Sequence, residues 1–216
     1  MADQKMGLLL AGLDRSAAAA DEFDDWYDTE HIPERLRIPG FLTGERWIGV
    51  DDPALSVSLY DLESAAVLRQ AAFRAVSGEN LSPWSKRMTG KCRPLFRFEA
   101  EQILPGDRPG PAGAGGLMMF AMNPVPEADK DFNDWYNEEH VPSLARVPGC
   151  LCARRFRILD ARSDGNQRYL AVYHLESPGV CSSEPWKRAI ETPWTHRIRP
   201  RTRDRLRHVL RPARRA

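Results

Sequence analysis

The chain repeats itself. Phe23 to Trp47 (FDDWYDTEHIPERLRIPGFLTGERW) aligns without gaps on Phe132 to Phe156 (FNDWYNEEHVPSLARVPGCLCARRF), and 12 of the 25 positions are identical. Chance would give roughly one or two at average composition. Weaker echoes follow in the same order. Ser58–Ser64 (SLYDLES) matches Ala171–Ser177 (AVYHLES), Phe73 falls opposite Trp186, and Ser82–Arg87 (SPWSKR) matches Thr192–Arg197 (TPWTHR). Leu104–Gly116 (LPGDRPGPAGAGG) has no apolar periodicity and reads as a linker. Residues 1–103 therefore form a first unit, 104–115 a Pro/Gly linker, and 116–216 a second unit ending in an arginine-rich strand. A duplicated unit must bury the same surface twice, which limits the architectures open to the chain.

Each copy predicts strand, helix, strand, strand, helix, strand. In the first, Gly7–Leu13 is short and apolar, and Asp21–Leu36 has helical spacing that ends near Pro39-Gly40. Phe41–Val50 and Ser56–Leu62 read as strands around an Asp51-Asp52-Pro53 turn. Ser64–Val76 is Ala-rich and helical, with Ser64 placed to cap it, and Cys92–Ile103 closes the unit. The second copy repeats the order with a hairpin turn at Ser163–Asn166. A βαββαβ order makes an α+β, ferredoxin-like unit: one antiparallel sheet with both helices on one face. The bare sheet faces are expected to meet each other as an intramolecular α+β barrel, with four helices outside. Burial of apolar surface drives this at about 25 cal/mol per Å², and the linker keeps the two copies close.

Composition narrows the function. With 31 Lys+Arg against 30 Asp+Glu, the chain has no general affinity for nucleic acid. No apolar run approaches the ~18 residues that cross a bilayer, so no membrane partner is expected. From His196 to Arg215, however, nine arginines face one acid, Asp204. Arg197, Arg199, Arg201, Arg203, Arg205 and Arg207 alternate with other residues, which on one strand puts six guanidinium groups on one side. Such a row is either a solvated face that discourages aggregation or a site for an anionic partner. Cys92, Cys150, Cys152 and Cys181 form no CxxC pair and read as reduced thiols of a cytoplasmic protein. Met6–Leu13 imitates a signal peptide, but Gly116–Met122 repeats it inside the chain, so it reads as a strand. No zinc spacing, glycine-rich phosphate loop or GxSxG elbow occurs. No metal or other cofactor is expected. Were a haem bound, His31, His140, His174 and His196 would be the possible ligands.

The repeated W-Y-x-x-E-H-x-P, followed by P-G and a strand, resembles the dimeric α+β barrel superfamily and, within it, the EthD-like group. The resemblance spans nearly the whole chain as two copies. It implies a barrel of two ferredoxin-like units and small, often aromatic or polyketide-like ligands. Members of the superfamily include cofactor-free monooxygenases, lactone isomerases, cyclases, dehydratases and haem enzymes, and fold alone does not choose among them.

The residues themselves say more. Phe23, Trp26, Tyr27, Glu30 and His31 share one helical face, as do Phe132, Trp135, Tyr136, Glu139 and His140. Pro33 and Pro142 should interrupt the helix just beyond. A polar pair at the rim of an apolar helix–sheet cleft suits a small ligand. His31 and His140 are the expected proton-transfer groups, with Glu30, Glu139, Tyr27 and Tyr136 assisting. Trp26 and Trp135 would supply aromatic walls, and Arg46, Arg155, Arg87 and Arg197 would hold an anionic group. Trp84 and Trp194 are further substrate-side candidates, although packing suits them better. The competing account makes each His a partner of the helix dipole and each Glu a partner of the recurring Arg.

The expectation is a cofactor-independent lyase, isomerase or dehydratase that moves protons by His on a small hydrophobic, aromatic or cyclic oxygenated molecule. The alternatives are a cofactor-free monooxygenase and a non-catalytic ligand-binding accessory protein. Homodimerisation through the outer surfaces is compatible with either.

Overall fold

Strand β1 (Gly7–Asp14) is apolar up to Leu13 because both its faces are covered along most of its length. Leu8 and Leu10 enter one cluster with residues from both halves of the chain, while Leu9 packs on the other side with Tyr60, Val67 and Phe73. In the computed structural model, which describes residues 5–213, the same division recurs in the second half. There Leu117 and Met119 join the shared cluster, and Met118 and Met122 face Phe132 and Trp135. Arg214 and Arg215 of the arginine-rich tail lie outside the described residues.

The strands are β1, β2 (Glu45–Gly49), β3 (Leu55–Leu62), β4 (Arg93–Leu104), β5 (Gly116–Pro124), β6 (Cys150–Ser163), β7 (Tyr169–Leu175) and β8 (Thr202–Pro212). They close into one antiparallel barrel in the order β1-β3-β2-β8-β5-β7-β6-β4. Each half supplies a ferredoxin-like quartet, β4-β1-β3-β2 or β8-β5-β7-β6. Two seams join the quartets. β2 meets β8 from Trp47↔Pro212 to Gly49↔Leu210, and β4 meets β6 from Phe96↔Ser163 to Leu104↔Arg155. The expected facing of two sheets is realised as this closure, which leaves no open edge.

Helices cover the outside. In the first half these are α1 (Ala20–Trp26), α2 (Ile32–Leu36), α3 (Ala71–Arg74) and α4 (Pro83–Lys91). The second half has α5 (Asp129–Asp134), α6 (Val141–Ala145), α7 (Glu184–Ile190) and α8 (Pro193–Ile198). Pro33 and Pro142 do not break the first helix of either half. A π turn, Tyr27–His31 or Trp135–His140, precedes each proline and passes the chain directly into α2 or α6. The prolines fall in the first turn of those segments, where the wider π turn before them makes room for a residue without an N–H.

The expected helix Ser64–Val76 is instead a 3₁₀ turn, Ala65–Arg69, followed by the short α3. Gln70 adopts extended backbone (φ −73°, ψ 153°) between them, and Ser64 makes no side-chain cap. Val67, Leu68 and Phe73 all pack into one cluster. In a continuous helix at 100° per residue, Phe73 would point well away from Val67 and Leu68, so packing breaks the helix. Phe41–Val50 likewise yields only Glu45–Gly49 as strand, with Phe41 in a lone bridge to Leu62. α4 and α8 escaped the sequence reading. Each starts with a capping hydroxyl, Ser82 or Thr192, and proline in the first turn, a start signal that serves above only to mark the repeat.

The linker is packed rather than loose. The Gln102 side chain donates to the Arg108 carbonyl (2.8 Å) and accepts from the Gly106 N–H (2.9 Å). The Gly110 N–H donates to Asp61 Oδ2 (2.8 Å), whose Oδ1 accepts from Arg154 Nη1 (2.6 Å). Asp61 belongs to the first half and Arg154 to the second, and both are buried. A Cβ on Gly110 would lie 2.6 Å from His174 Nε2 and 3.0 Å from Arg154 Nη2. Gly110→Ala is therefore expected to cost about 1–3 kcal/mol. Gly90→Ala, in open space on α4, should add about 0.5–1 kcal/mol. Urea unfolding of the two variants checks both signs.

Candidate functional site

Each half holds a cleft between its helices and the outer face of its sheet, and each cleft is lined by the Trp, Tyr and His of the repeated motif. The π turn creates this grouping. Trp26 and His31 are five residues apart, a spacing that an α-helix places about 140° apart but a wider π turn brings together. Their rings lie 4.6 Å apart, and His31 meets Tyr27 edge-on at 5.1 Å. In the second half, Trp135 and His140 are 4.2 Å apart and Tyr136 is again 5.1 Å from the imidazole.

Both imidazoles are held neutral. Burial, helped by the Arg35 charge, pushes His31 down to about 3. Burial, with Arg199 and Arg155, does the same to His140. Neither Nδ1 has a hydrogen-bond partner among the described residues. Burial pushes the Tyr27 phenol up to about 12 and raises that of Tyr136, so both are protonated near neutral pH.

Glu30 and Glu139 do not orient the imidazoles. Glu30 accepts from Ser82 (2.5 Å) and Ser85 (3.0 Å), while Trp26 Nε1 donates to the same Ser85 hydroxyl (3.0 Å). In the second half Thr192 donates to Glu139 (2.5 Å), and Trp135 Nε1 donates to Thr195 (3.2 Å). These networks fasten the π turn to the start of α4 or α8. The glutamates meet neither the imidazoles nor the recurring arginines, so neither expected pairing is formed.

Arg46 and Arg155 are buried beneath the first helix of each half, outside the clefts. Arg46 pairs with Asp24 at 2.5 Å and lies over Tyr27 at 5.3 Å. Arg155 donates to Asn137 and Asn133, both at 2.7 Å, and lies over Tyr136 at 4.7 Å. They hold helix to strand, whereas the exposed pairs of Arg87 with Glu22 and Arg197 with Asp131 hold helix to helix, α4 to α1 and α8 to α5. Trp84 packs with the Phe23 cluster, and Trp194 donates to Asp131 (2.9 Å). Neither lines a cleft. Of the remaining histidines, His174 is sealed inside the barrel beside Glu45, and His196 lies on the surface beside Glu191. Among the described residues, no group of three metal-binding side chains gathers, and no helix is long and apolar enough to cross a membrane.

The clefts differ. The second-half cleft, about 280 Å³, is walled by Met118, Phe120, Met122, Leu144 and Trp186, with no carboxylate in its lining. Arg199, Arg205 and Arg207 line it as well, and the sequence reading did not place them there. The tail is not a single six-arginine row. Arg197 lies on α8, Arg199 and Arg201 form a 3₁₀ turn, and β8 starts at Thr202. Asp204 (φ 53°) bulges the strand, so the alternation runs cleanly only beyond it. Arg205 and Arg207 then face the helices, while Leu206 and His208 pack against the barrel interior. Arg207 makes no hydrogen bond or ion pair among the described residues. The first-half cleft, about 820 Å³, is larger and more polar.

No protein-family model and no curated protein matches the sequence. Solved structures match over the whole chain. An anthrone oxidase-like protein is similar at TM-score 0.66 and 14% identity, covering 99% of this chain and 93% of its own. A candidate monooxygenase from Fusobacterium nucleatum subsp. nucleatum is similar at TM-score 0.65 and 9% identity (98% and 94% covered). A variant of the Candidatus Nitrospira defluvii chlorite dismutase follows at 0.58 and 10% (96% and 92% covered). The chain thus has the fold of dimeric α+β barrel proteins, with both halves in one polypeptide.

Two outcomes follow. Glu30→Ala leaves Ser82 and Ser85 without their acceptor and should cost about 1–3 kcal/mol in urea unfolding. The imidazoles bind protons in the unfolded chain below about pH 6.5 but stay neutral in the fold down to about 3. Stability should therefore fall as pH drops from about 6.5 toward 3. His140→Gln and His31→Gln should each flatten part of that fall, because burial holds both rings down to a similar degree. Thermal unfolding between pH 7 and 4 measures it.

Proposed function

We propose that the protein is a cofactor-independent oxygenase, and that it oxidises an electron-rich phenolic aromatic in the second-half cleft. The observation that carries this is the composition of that cleft: an apolar wall, a neutral imidazole with an unpartnered nitrogen, and three arginines with no carboxylate among them. Arg155, buried behind Tyr136, is not part of this lining. The reading follows from the chemistry such a substrate needs. A phenol or its keto tautomer reacts with oxygen once it becomes an anion. His140 takes the proton, and Arg205 and Arg207 stabilise the enolate or phenolate. Electron transfer from that anion to O₂ and recombination at carbon give a hydroperoxide. Loss of water then leaves a carbonyl, so that CH₂ and O₂ become C=O and H₂O. Oxygen is the only oxidant required.

A ring held near pKa 3 when empty must gain basicity from the bound substrate before it can take a proton. Beside a bound anion the imidazolium gains a counter-charge, so His140 can keep the proton for as long as the anion persists. The structural likeness to anthrone oxidase-like and candidate monooxygenase proteins supports the oxygenase reading.

The test is oxygen uptake by the full chain with an anthrone-type phenol. One O₂ consumed per substrate, with loss of turnover under nitrogen, is expected. His140→Ala should lower the rate by roughly 10²-fold or more with the fold intact by circular dichroism. Turnover that persists without oxygen, or an unchanged His140→Ala rate, overturns the reading.

A further inference from the structure

We propose that the first-half cleft is a separate binding site for an aromatic dianion, chemically distinct from the site in the second half. This goes beyond the oxygenase reading and does not depend on it. The two clefts share an ancestor, so the positions at which they differ are informative. Tyr60 matches Tyr173 and His31 matches His140 in the repeat. Strand register pairs Ala11 with Arg97 and Phe120 with Arg207, which makes those arginines equivalent. Against that shared frame, buried Arg35 stands where the second half has Leu144. Buried Glu99 stands where it has Val209, since they pair with the equivalent Leu9 and Met118.

Charge favours an anion. The lining carries Arg35, Arg69, Arg74, Arg97 and Arg162 against Glu99 and Asp160, and with Glu34 paired to Arg35 at 2.9 Å two positive charges remain uncompensated. Glu99 is already engaged by Arg97 (2.5 Å), Arg69 and Arg162 (3.6 Å). Arg35 touches only Glu34, which is outside the lining, and Arg74 donates only to the Arg69 carbonyl. These two guanidinium groups therefore remain available to paired oxyanions. The Tyr60 hydroxyl, on a residue 2% exposed, and His31 Nδ1 are buried without hydrogen-bond partners. Both residues line the cleft, and such orphaned groups are rare unless a ligand satisfies them. The apolar share of the wall includes Phe73, with the Arg35 guanidinium 5.7 Å from its ring, and Leu68. Rings and paired cations together suit a flat body bearing two negative charges. The cleft also crosses the β4–β6 seam, because Asp160 and Arg162 come from the other half.

The experiment is isothermal titration of the full chain at low salt with phthalate and with phenyl phosphate, beside thermal shift. Saturable binding of either probe is expected, and the two probes distinguish carboxylate from phosphate preference. Affinity should fall about tenfold or more in Arg35→Leu, which copies Leu144 of the other half, and in the exposed Arg74→Ala. Arg74→Ala alone carries the test if Arg35→Leu does not fold. His140→Ala should leave binding unchanged, and a neutral anthrone-type phenol should not displace the probe. Absence of saturable binding, or equal affinity in wild type and Arg74→Ala, overturns the proposal without touching oxygen uptake in the other cleft.

Discussion

Edge pairing between the two halves is the constraint on which everything else rests. A four-stranded ferredoxin-like sheet has two bare edges and one bare face, and this chain disposes of all three at once. β2 closes on β8 and β4 on β6, so the inward faces meet in a core built from both copies. Leu8, Phe98, Leu117 and Phe156 share that core although the linker separates them in sequence. At one end the Asp61–Arg154 pair and Gly110 join first half, second half and linker. A buried pair of this kind adds little net stability, but loss of one partner strands the other charge, so it works as a specific latch.

With the interior occupied by packing, the clefts lie on the outside of the sheet, where helices leave room. The duplication supplies two such places, and the copies have used them differently. In the second half the arginine under the helix is met by the amides of Asn133 and Asn137, and the cleft is apolar. In the first half Asp24 meets the corresponding Arg46, and charge has moved into the cleft lining itself. The same scaffold thus carries a smaller, more apolar chamber with arginines alone and a larger one with charges of both signs.

The architecture was legible because it is written in periodicity and repetition. A 12-in-25 identity and a βαββαβ order require two like sheets, and two like sheets with bare faces have few ways to be satisfied. Local departures were illegible where tertiary contact overruled propensity, as at Gln70, where Phe73 must reach the cluster that Val67 already occupies. Spacing shows a helix carrying the motif's Trp, Tyr and His, but it is the π turn that gathers them at the clefts. Their neighbours were not legible, since Ser85 and Thr195 capture the tryptophans from distant helices, and Ser82 and Thr192 hold the glutamates. Arg205 and Arg207 reach the second cleft only because a bulge at Asp204 sets the phase of the last strand. Alternating arginines show a row but not where it begins.

The π turn gives each repeat a sensitivity to length rather than to composition. It holds one residue more than an α-helical path would need, and that surplus is what lets a tryptophan and a histidine five positions apart lie over one another. A deletion there would return the path to α-helical spacing, with Pro33 or Pro142 then inside it. The two rings would part company, and every side chain beyond would rotate by about 100°, carrying Arg35 or Leu144 off its wall. The turn therefore depends on the count of residues through it more than on which side chains flank it.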